Sequence, residues 1–391
     1  MNDAREPAVE DIQLSYMGGP VHRIGCRIGL IRHDTNTVPL GLALALGAWS
    51  ILAILVIIGG GGERFFSLKI VGVHVRLLVA IPLLFLGESL VDPRQREFVW
   101  LLLRGGVLPQ KERPAFQADI DRIIRWKNSW VPDAVCLVVA IVWSFVGTRL
   151  DMAGVSSTPD PSIGAGPLRP AADWYWFVCL PLFRLVVLRW IWRLGLWIYF
   201  LWRTAQRKLH LVPTHPDGAG GLGYLEVVHQ HFIPVILAIS SVQAASVAEE
   251  IVTGAVGFEA VYPAFLLVWI VVAALFLGPL FIFAGQIWAC RVKGHADYME
   301  LADRYVSGFE GKWVREGRSN DGELLGTGDI QSLADLNNSI AVVRNMRAVP
   351  ISFRLFTDFT VAALVPLLPL LLLEYPMDEL AKKFLSRMAG L

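Results

Sequence analysis

The chain has 391 residues, of which 54% are hydrophobic and only 18% are charged. Soluble domains carry about 25% charged residues, so this composition favours a lipid bilayer over water as the surrounding solvent. The net charge of +1 and the lack of a basic tail or nucleic-acid-binding motif argue against a nucleic-acid partner. The four cysteines are far apart and include no Cys-x-x-Cys pair, which argues against a disulfide framework.

Residues 1–37 form a polar segment that precedes the first apolar run. The segment lacks a basic start followed by a short apolar core, so no cleavable secretory signal is predicted. We expect residues 1–37 to be a cytoplasmic N-terminal segment and the first apolar run to remain as a membrane anchor.

Apolar runs of the length needed to cross a bilayer, about 20 residues, recur along the chain. Six segments qualify, at 38–60, 69–91, 133–150, 174–202, 232–252 and 261–290. A seventh, at 359–374, is shorter and contains Pro366 and Pro369. It spans if its helix begins near Ile351, and otherwise it is re-entrant.

The connecting segments differ in basic residues, which predicts the orientation. Lysine and arginine concentrate in 92–132, in 203–231 and after residue 290, whereas 151–173 carries one arginine and 253–260 carries neither residue type. Basic loops face the cytoplasm. The N-terminus is therefore predicted to be cytoplasmic, in the plasma (inner) membrane if the source is bacterial.

Two regions outside the spans show helical periodicity. In 113–130 the apolar residues share one face, which predicts an amphipathic helix at the membrane surface. Region 291–349 carries two apolar stripes, which predict a helical hairpin. About 60 residues bury little core alone, so we expect the hairpin to pack on the membrane domain or on another subunit. The three apolar faces are Phe116, Ile120, Ile123 and Ile124; Tyr298, Leu301, Tyr305 and Phe309; and Leu333, Leu336, Ile340 and Val343.

These elements predict an all-α fold, a polytopic integral membrane helical bundle of about six or seven spanning helices with cytoplasmic helical segments. The predicted membrane domain covers 38–290, with six spans and an amphipathic cytoplasmic loop at 92–132. The cytoplasmic hairpin of 291–349 follows it. Residues 350–391 supply the seventh hydrophobic helix and a C-terminal tail.

The fifth predicted span carries a polar stripe. Four of its polar side chains fall within about 120° of one helix face, and a second carboxylate adjoins the last of them. Such a stripe can line an aqueous path, with carboxylates at its mouth selecting cations. The alternative is that these side chains bond neighbouring helices and that the carboxylates mark the membrane interface. The residues concerned are Ser240, Gln243, Ser246, Glu249 and Glu250.

The fourth predicted span contains three arginines, Arg184, Arg189 and Arg193. Their spacings of five and four residues differ from the every-third-residue repeat of a voltage sensor and place Arg184 roughly opposite the other two. A deep arginine needs a counter-charge. We expect Arg184 to form a structural ion pair or to bind an anion or a lipid phosphate. The candidate carboxylates are Glu88, Glu249 and Asp358.

The loop at 210–231 offers imidazole and carboxylate groups, which suit zinc or another transition metal. The candidate ligands are His215, Asp217, His229 and His231. Their spacing is not specific to a metal site, and Pro-Asp-Gly is a strong turn signal.

The same loop is rich in glycine, with Gly220, Gly221 and Gly223 at its centre. Glycine permits backbone conformations that turn amides towards an anion or carbonyls towards a cation. The alternative is a defined bend that docks beneath the helices.

These patterns favour a channel or transporter for small ions, with a path lined by the fifth span. The carboxylates favour cations and the arginines favour anions, so the sign of the ion stays open. A homo-oligomer in the lipid bilayer is expected if one helix of each subunit lines the path. The alternatives are a membrane-embedded, metal-dependent enzyme using loop 210–231, or a scaffold whose cytoplasmic helices recruit a partner. Sequence assigns no catalytic residue and no cofactor.

Overall fold

A computed structural model describes residues 36–146, 166–315 and 328–374. Within these ranges all regular secondary structure is helical, as the sequence predicts. Four parts of the chain lie outside the described residues: 1–35, 147–165, 316–327 and 375–391. Most of the predicted N-terminal segment and of the 151–173 connection, the centre of the predicted hairpin and the C-terminal tail fall in these parts.

The described chain folds into nine principal helices, some of which include short π-helical or 3-10 stretches. In chain order they are α1 (Val38–Ile58), α2 (Leu68–Arg104), α3 (Arg113–Asn128), α4 (Trp130–Val146), α5 (Leu180–Ala205), α6 (Tyr224–Val252), α7 (Val261–Val314), α8 (Asp329–Arg344) and α9 (Phe353–Leu370). Shorter helical stretches occupy Gly62–Phe65, Gln110–Glu112, Gly166–Leu168, Arg169–Trp174, Tyr175–Cys179, Phe258–Ala260 and Leu371–Glu374.

Five of these helices, α1, α2, α6, α7 and α9, are long and apolar enough to cross a membrane. The predicted membrane-protein class is therefore confirmed. The other two predicted spans correspond to α4, whose apolar part is shorter, and to α5, which is 26 residues long but carries the three arginines. The total number of spans stays a prediction.

Helix α2 continues beyond the predicted end of the second span at residue 91. Its later turns keep an apolar face, because Phe98, Val99 and Leu102 are all buried. The expected loop at 92–132 is therefore helical as far as Arg104, and this prediction was wrong. The amphipathic helix expected next is present as α3, which buries Phe116, Ile120 and Ile123.

Helix α7 extends without a break from the predicted sixth span into the predicted hairpin. The stretch Ala284–Phe309 is one α-helix, and no proline interrupts it. Helix α8 packs against it and begins at Asp329, whose carboxylate accepts hydrogen bonds from Lys312 (2.7 Å) and Trp313 (2.9 Å). These bonds lower the pKa of the Asp329 carboxyl below its ordinary value.

Helix α9 begins at Phe353, six residues before the predicted seventh segment and close to Ile351, the start that would allow this segment to span. The Ser352 hydroxyl caps its first turn by accepting a hydrogen bond from the Leu355 amide at 3.1 Å. From Val365 to Leu370 the helix tightens to 3-10 geometry around its two prolines.

One apolar core runs through α1, α2, α5, α6, α7 and α9 and holds the site residues in place. Aromatic side chains fill its centre, where a large buried ring contributes most per residue to the hydrophobic free energy of folding. The largest fully buried side chains include Phe98, Trp197, Phe232, Phe276 and Phe359.

Candidate intramembrane ion site

The two serines of the predicted polar stripe lie in helix contacts. Ser240 is completely buried, and its hydroxyl donates to the carbonyl of Ala363 in α9. Ser246 donates to the carbonyl of Val242 in its own helix at 3.1 Å. Hydroxyls in apolar surroundings commonly satisfy themselves in these two ways, so helix packing accounts for both serines in this conformation.

Gln243 lies on the wall of a cavity of about 240 Å³ between α2, α5, α6 and α7. The rest of the wall is almost entirely apolar, with Leu84, Trp190 and Phe276 among its members. A cavity of this size exceeds the space needed by several water molecules. Gln243 is therefore the stripe residue that faces open space between the helices.

The two predicted mouth carboxylates occupy different environments. Glu249 is only 8% exposed, and it accepts a hydrogen bond of 2.7 Å from the backbone amide of Gly72 at the start of α2. Glu250 is half-buried. The two carboxylates therefore differ in burial, and Glu249 is the one that points into the bundle.

Arg76 of α2 interacts electrostatically with Glu249. It is 3% exposed, and its Nη1 donates to the Tyr175 hydroxyl at 2.8 Å. Its Nη2 is buried and has no hydrogen-bond partner in the described structure. Sequence reasoning missed Arg76, although a single arginine inside the second apolar run was a signal that could have identified it.

Arg76 and Tyr175 both lie in π-helical segments, Val75–Ala80 and Tyr175–Cys179. A π-helical turn shifts the side chains that follow it out of regular register, and such turns are frequent at functional sites. Both segments contribute to one cluster of four residues, which we call the Arg76 cluster: Arg76, Tyr175, Arg184 and Glu249.

Arg184 joins this cluster from α5. It is 4% exposed, its guanidinium lies 5.1 Å from the centre of the Trp143 ring, and it interacts electrostatically with Tyr175 and Arg76. In the described residues no carboxylate forms an ion pair with it, and its Nη1 is buried without a hydrogen-bond partner.

The three carboxylates considered for Arg184 are engaged elsewhere. Glu88 forms an ion pair with Arg193, and Glu249 binds the Gly72 amide. Asp358 accepts a hydrogen bond of 3.0 Å from Gln230.

The other two arginines of the predicted fourth span form structural ion pairs. Arg189 lies 3.3 Å from Asp133 of α4. Arg193 pairs with Glu88 and lies 3.9 Å from Asp92, both in α2. These pairs fasten α5 to α4 and α2, whereas the structural ion pair was expected for Arg184.

The glycine-rich loop wraps around the carboxylate of Asp217. The backbone amides of Ala219, Gly221 and Gly223 donate to it over 2.7–3.2 Å, and His215 Nδ1 lies 2.8 Å from it. Burial raises the pKa of the Asp217 carboxyl, but the amide bonds and the imidazole outweigh it, so the pKa lies below its ordinary value. The amides predicted to bind an anion are thus turned towards the loop's own aspartate.

Positive backbone angles make this arrangement possible, since φ is +70° at Gly220 and +102° at Gly221. The loop is then clamped by Arg347, which donates to the Asp217 carbonyl at 3.0 Å and pairs with Glu226 at 2.6 Å. These contacts match the alternative prediction of a docked bend.

The four candidate metal ligands are not brought together. His229 is completely buried, with Trp197 donating to its Nε2 at 3.3 Å and its Nδ1 2.6 Å from the Phe276 carbonyl. His231 Nδ1 lies 2.7 Å from the Val227 carbonyl. The described chain contains no group of three or more His, Cys, Asp or Glu side chains that could hold a metal ion. The expected set fails to assemble because α6 begins at Tyr224 and carries both later histidines away from the loop.

No protein-family model, curated protein or solved structure matches this chain.

Proposed function

We propose that this chain is a membrane transport protein for small ions, with a path along α6 between Gln243 and Glu249. The observation that carries the proposal is the Arg76 cluster, in which ionisable groups from three helices meet inside an apolar bundle. Ionisable residues within a membrane are costly to bury, and they characteristically mark ion pathways. Two π-helical segments at the same place strengthen this assignment.

The cavity beside Gln243 supplies the second element of the proposed path. Gln243 and Glu249 are six residues apart on α6, a rise of about 9 Å at 1.5 Å per residue. The serines between and beside them are packed in the described conformation. A path that is closed at rest fits a transporter or a gated channel better than a permanently open pore.

The cavity also bears on assembly. Its walls come from four helices of one chain, so a path through a single subunit requires no ring of subunits. A homo-oligomer is compatible with the proposal but is not needed for it. We further propose, from the distribution of basic residues, that the N-terminus and the α7–α8 hairpin face the cytoplasm.

The test is ion flux in proteoliposomes, with cations and anions replaced in turn. We expect selective flux that changes at least severalfold in Glu249→Gln, which keeps an oxygen to accept from Gly72 but removes the charge. Glu250→Gln is the matched control, because it removes the neighbouring, less buried carboxylate, and we expect a smaller change. Equal effects of the two substitutions would contradict a specific role for Glu249.

Absence of flux in vesicles that contain folded protein would contradict the proposal as a whole. The scaffold alternative would then gain support. The enzyme alternative has weaker support, because the residues expected to hold its metal are not gathered.

A further inference from the structure

The Arg76 cluster carries more positive than negative charge. Arg76 and Arg184 contribute two positive charges and Glu249 one negative charge, while the fourth member, Tyr175, contributes a hydroxyl group. All four side chains are at most 8% exposed. Isolated charge is strongly disfavoured in an apolar environment, so the surplus positive charge calls for a counter-ion.

The cluster also contains unmet hydrogen-bond donors. Arg76 Nη2 and Arg184 Nη1 are both buried and lack acceptors in the described part of the chain. Buried side-chain donors nearly always have a partner. The two donors come from different helices, α2 and α5, and their guanidinium groups interact electrostatically with each other.

Tyr175 offers a third donor at the same place. Its hydroxyl oxygen accepts the bond from Arg76 Nη1, which leaves its own O–H proton available. Both guanidinium groups interact with this hydroxyl. The three donors therefore belong to residues that interact with one another and carry a net positive charge, an arrangement suited to an acceptor-only ligand that carries a single negative charge.

We propose that Arg76, Arg184 and Tyr175 form a binding site for a small monovalent anion inside the helical bundle. The required chemistry is one negative charge with acceptor atoms only, as in bromide, chloride or nitrate. A phospholipid phosphodiester carries the same charge. The near-complete burial of all three residues, at 3–4% exposure, favours a free ion over a headgroup that must remain attached to its glycerol.

Glu249 sets the charge balance of this site. It lies beside Arg76 and offsets one of the two positive charges. Removing its charge without changing its shape should therefore strengthen anion binding, whereas removing the charge of Arg184 should abolish the surplus. The physiological meaning of the site rests on the proposed transport function, but binding can be measured without any flux.

The experiment is calorimetric titration of the detergent-purified full chain with sodium bromide in a gluconate buffer. The rise in the protein's unfolding temperature with bromide concentration is a second measure of binding. A ligand that binds only the folded state stabilises it in proportion to the logarithm of its concentration. We expect saturable binding in the wild type, at least about tenfold weaker binding in Arg184→Met and tighter binding in Glu249→Gln. Arg169→Gln, at a largely exposed arginine, is the control and should bind as the wild type does.

The outcomes separate this inference from the transport proposal. Bromide binding without flux would support the anion site and contradict transport. Flux without saturable binding, or binding that is equal in Arg184→Met and the wild type, would overturn the anion site. A tightly held phospholipid in native mass spectra, present in the wild type and lost in Arg184→Met, would keep the site and identify its anion as a lipid phosphodiester.

Discussion

The backbone amide of Gly72 donates a hydrogen bond of 2.7 Å to Glu249, a residue 177 positions further along the chain. This contact joins the start of α2 to the end of α6 and fixes the carboxylate beside Arg76. The carboxylate oxygens occupy the space that a side chain at residue 72 would need, since a Cβ there would lie 2.9 Å from both of them.

Gly72→Ala should therefore displace the Glu249 carboxylate. We expect a loss of stability of about 1–3 kcal/mol, the usual cost of inserting a methyl group into a packed site. Ion flux should change in the same direction as in Glu249→Gln, because both substitutions disturb the charge balance of the Arg76 cluster. Thermal unfolding in detergent and flux in proteoliposomes measure the two effects.

Gly47→Ala is the control for this prediction. Gly47 also lies within a helix, but a Cβ there would meet nothing within 4 Å. Alanine should be neutral or slightly stabilising at that position because of its higher helix propensity. If Gly72→Ala behaved like Gly47→Ala in both assays, the close approach of Glu249 to α2 would be refuted.

Asp217→Asn should destabilise the glycine-rich loop. The carboxylate accepts hydrogen bonds from three backbone amides. In asparagine an amino group replaces one of the two carboxylate oxygens, and an amino group cannot accept a hydrogen bond from these amides. We expect a loss of about 1–3 kcal/mol, the cost of leaving a largely buried polar group unsatisfied. Asp297→Asn, at an exposed carboxylate, should change the unfolding temperature little.

The pH dependence of stability gives an independent check on Asp217. Its pKa is lowered in the folded protein, so its contribution is complete above the ordinary carboxyl value of about 3.9 and is lost as the pH falls through the lowered pKa. The wild type should therefore lose more stability than Asp217→Asn between pH 6 and pH 3. Parallel unfolding curves for the two proteins over that range would contradict the prediction.

Sequence periodicity was sufficient to predict the helical elements that bury an apolar face. The apolar face of α3 and the second helix of the hairpin, α8, both follow from the spacing of apolar residues. The end of α2 did not, because hydropathy falls after residue 91 while Phe98 and Leu102 continue the buried face at helical spacing. An amphipathic continuation is easily mistaken for a loop when only average hydropathy is considered.

The partners of the charged residues were beyond sequence reasoning. Arg193 and Glu88 are about a hundred residues apart, and Arg76 and Tyr175 are separated by 99 positions. Which of several carboxylates meets a given arginine depends on how the helices pack, and local spacing contains no information on that. The polar stripe on α6 can be recognised from the sequence. Whether a stripe residue packs against another helix, as Ser240 does against α9, or faces the cavity, as Gln243 does, depends on the neighbouring helices.

The ion pair of Arg193 with Glu88 should show strong coupling in a double-mutant cycle. Both side chains are largely buried, at 12% and 7% exposure. Removing either partner alone deprives a largely buried charge of its ion-pair partner and should cost about 3–5 kcal/mol, whereas Glu88→Leu combined with Arg193→Met should cost less than the sum. Unfolding in denaturing detergent measures each variant.

A surface pair supplies the comparison for that cycle. Arg354 and Asp358 lie 3.8 Å apart on α9, but Arg354 is 82% exposed. Exposed pairs contribute about 0.2–1 kcal/mol, so Arg354→Gln should have a small effect. Coupling between Arg193 and Glu88 no larger than that of this surface pair would contradict a fastening role for the buried one.

Gln243→Leu should impair ion movement without unfolding the protein. Gln243 faces the cavity of about 240 Å³ whose other walls are almost entirely apolar, so a leucine side chain fits these surroundings. The substitution removes the polar group that would replace water around an ion in the proposed path. We expect flux to fall at least severalfold and the unfolding temperature to stay the same or rise. Leu275→Met is the matched control, because it exchanges one apolar wall residue for another of similar volume. Unchanged flux in Gln243→Leu, together with intact folding, would mean that the proposed path does not pass through this cavity.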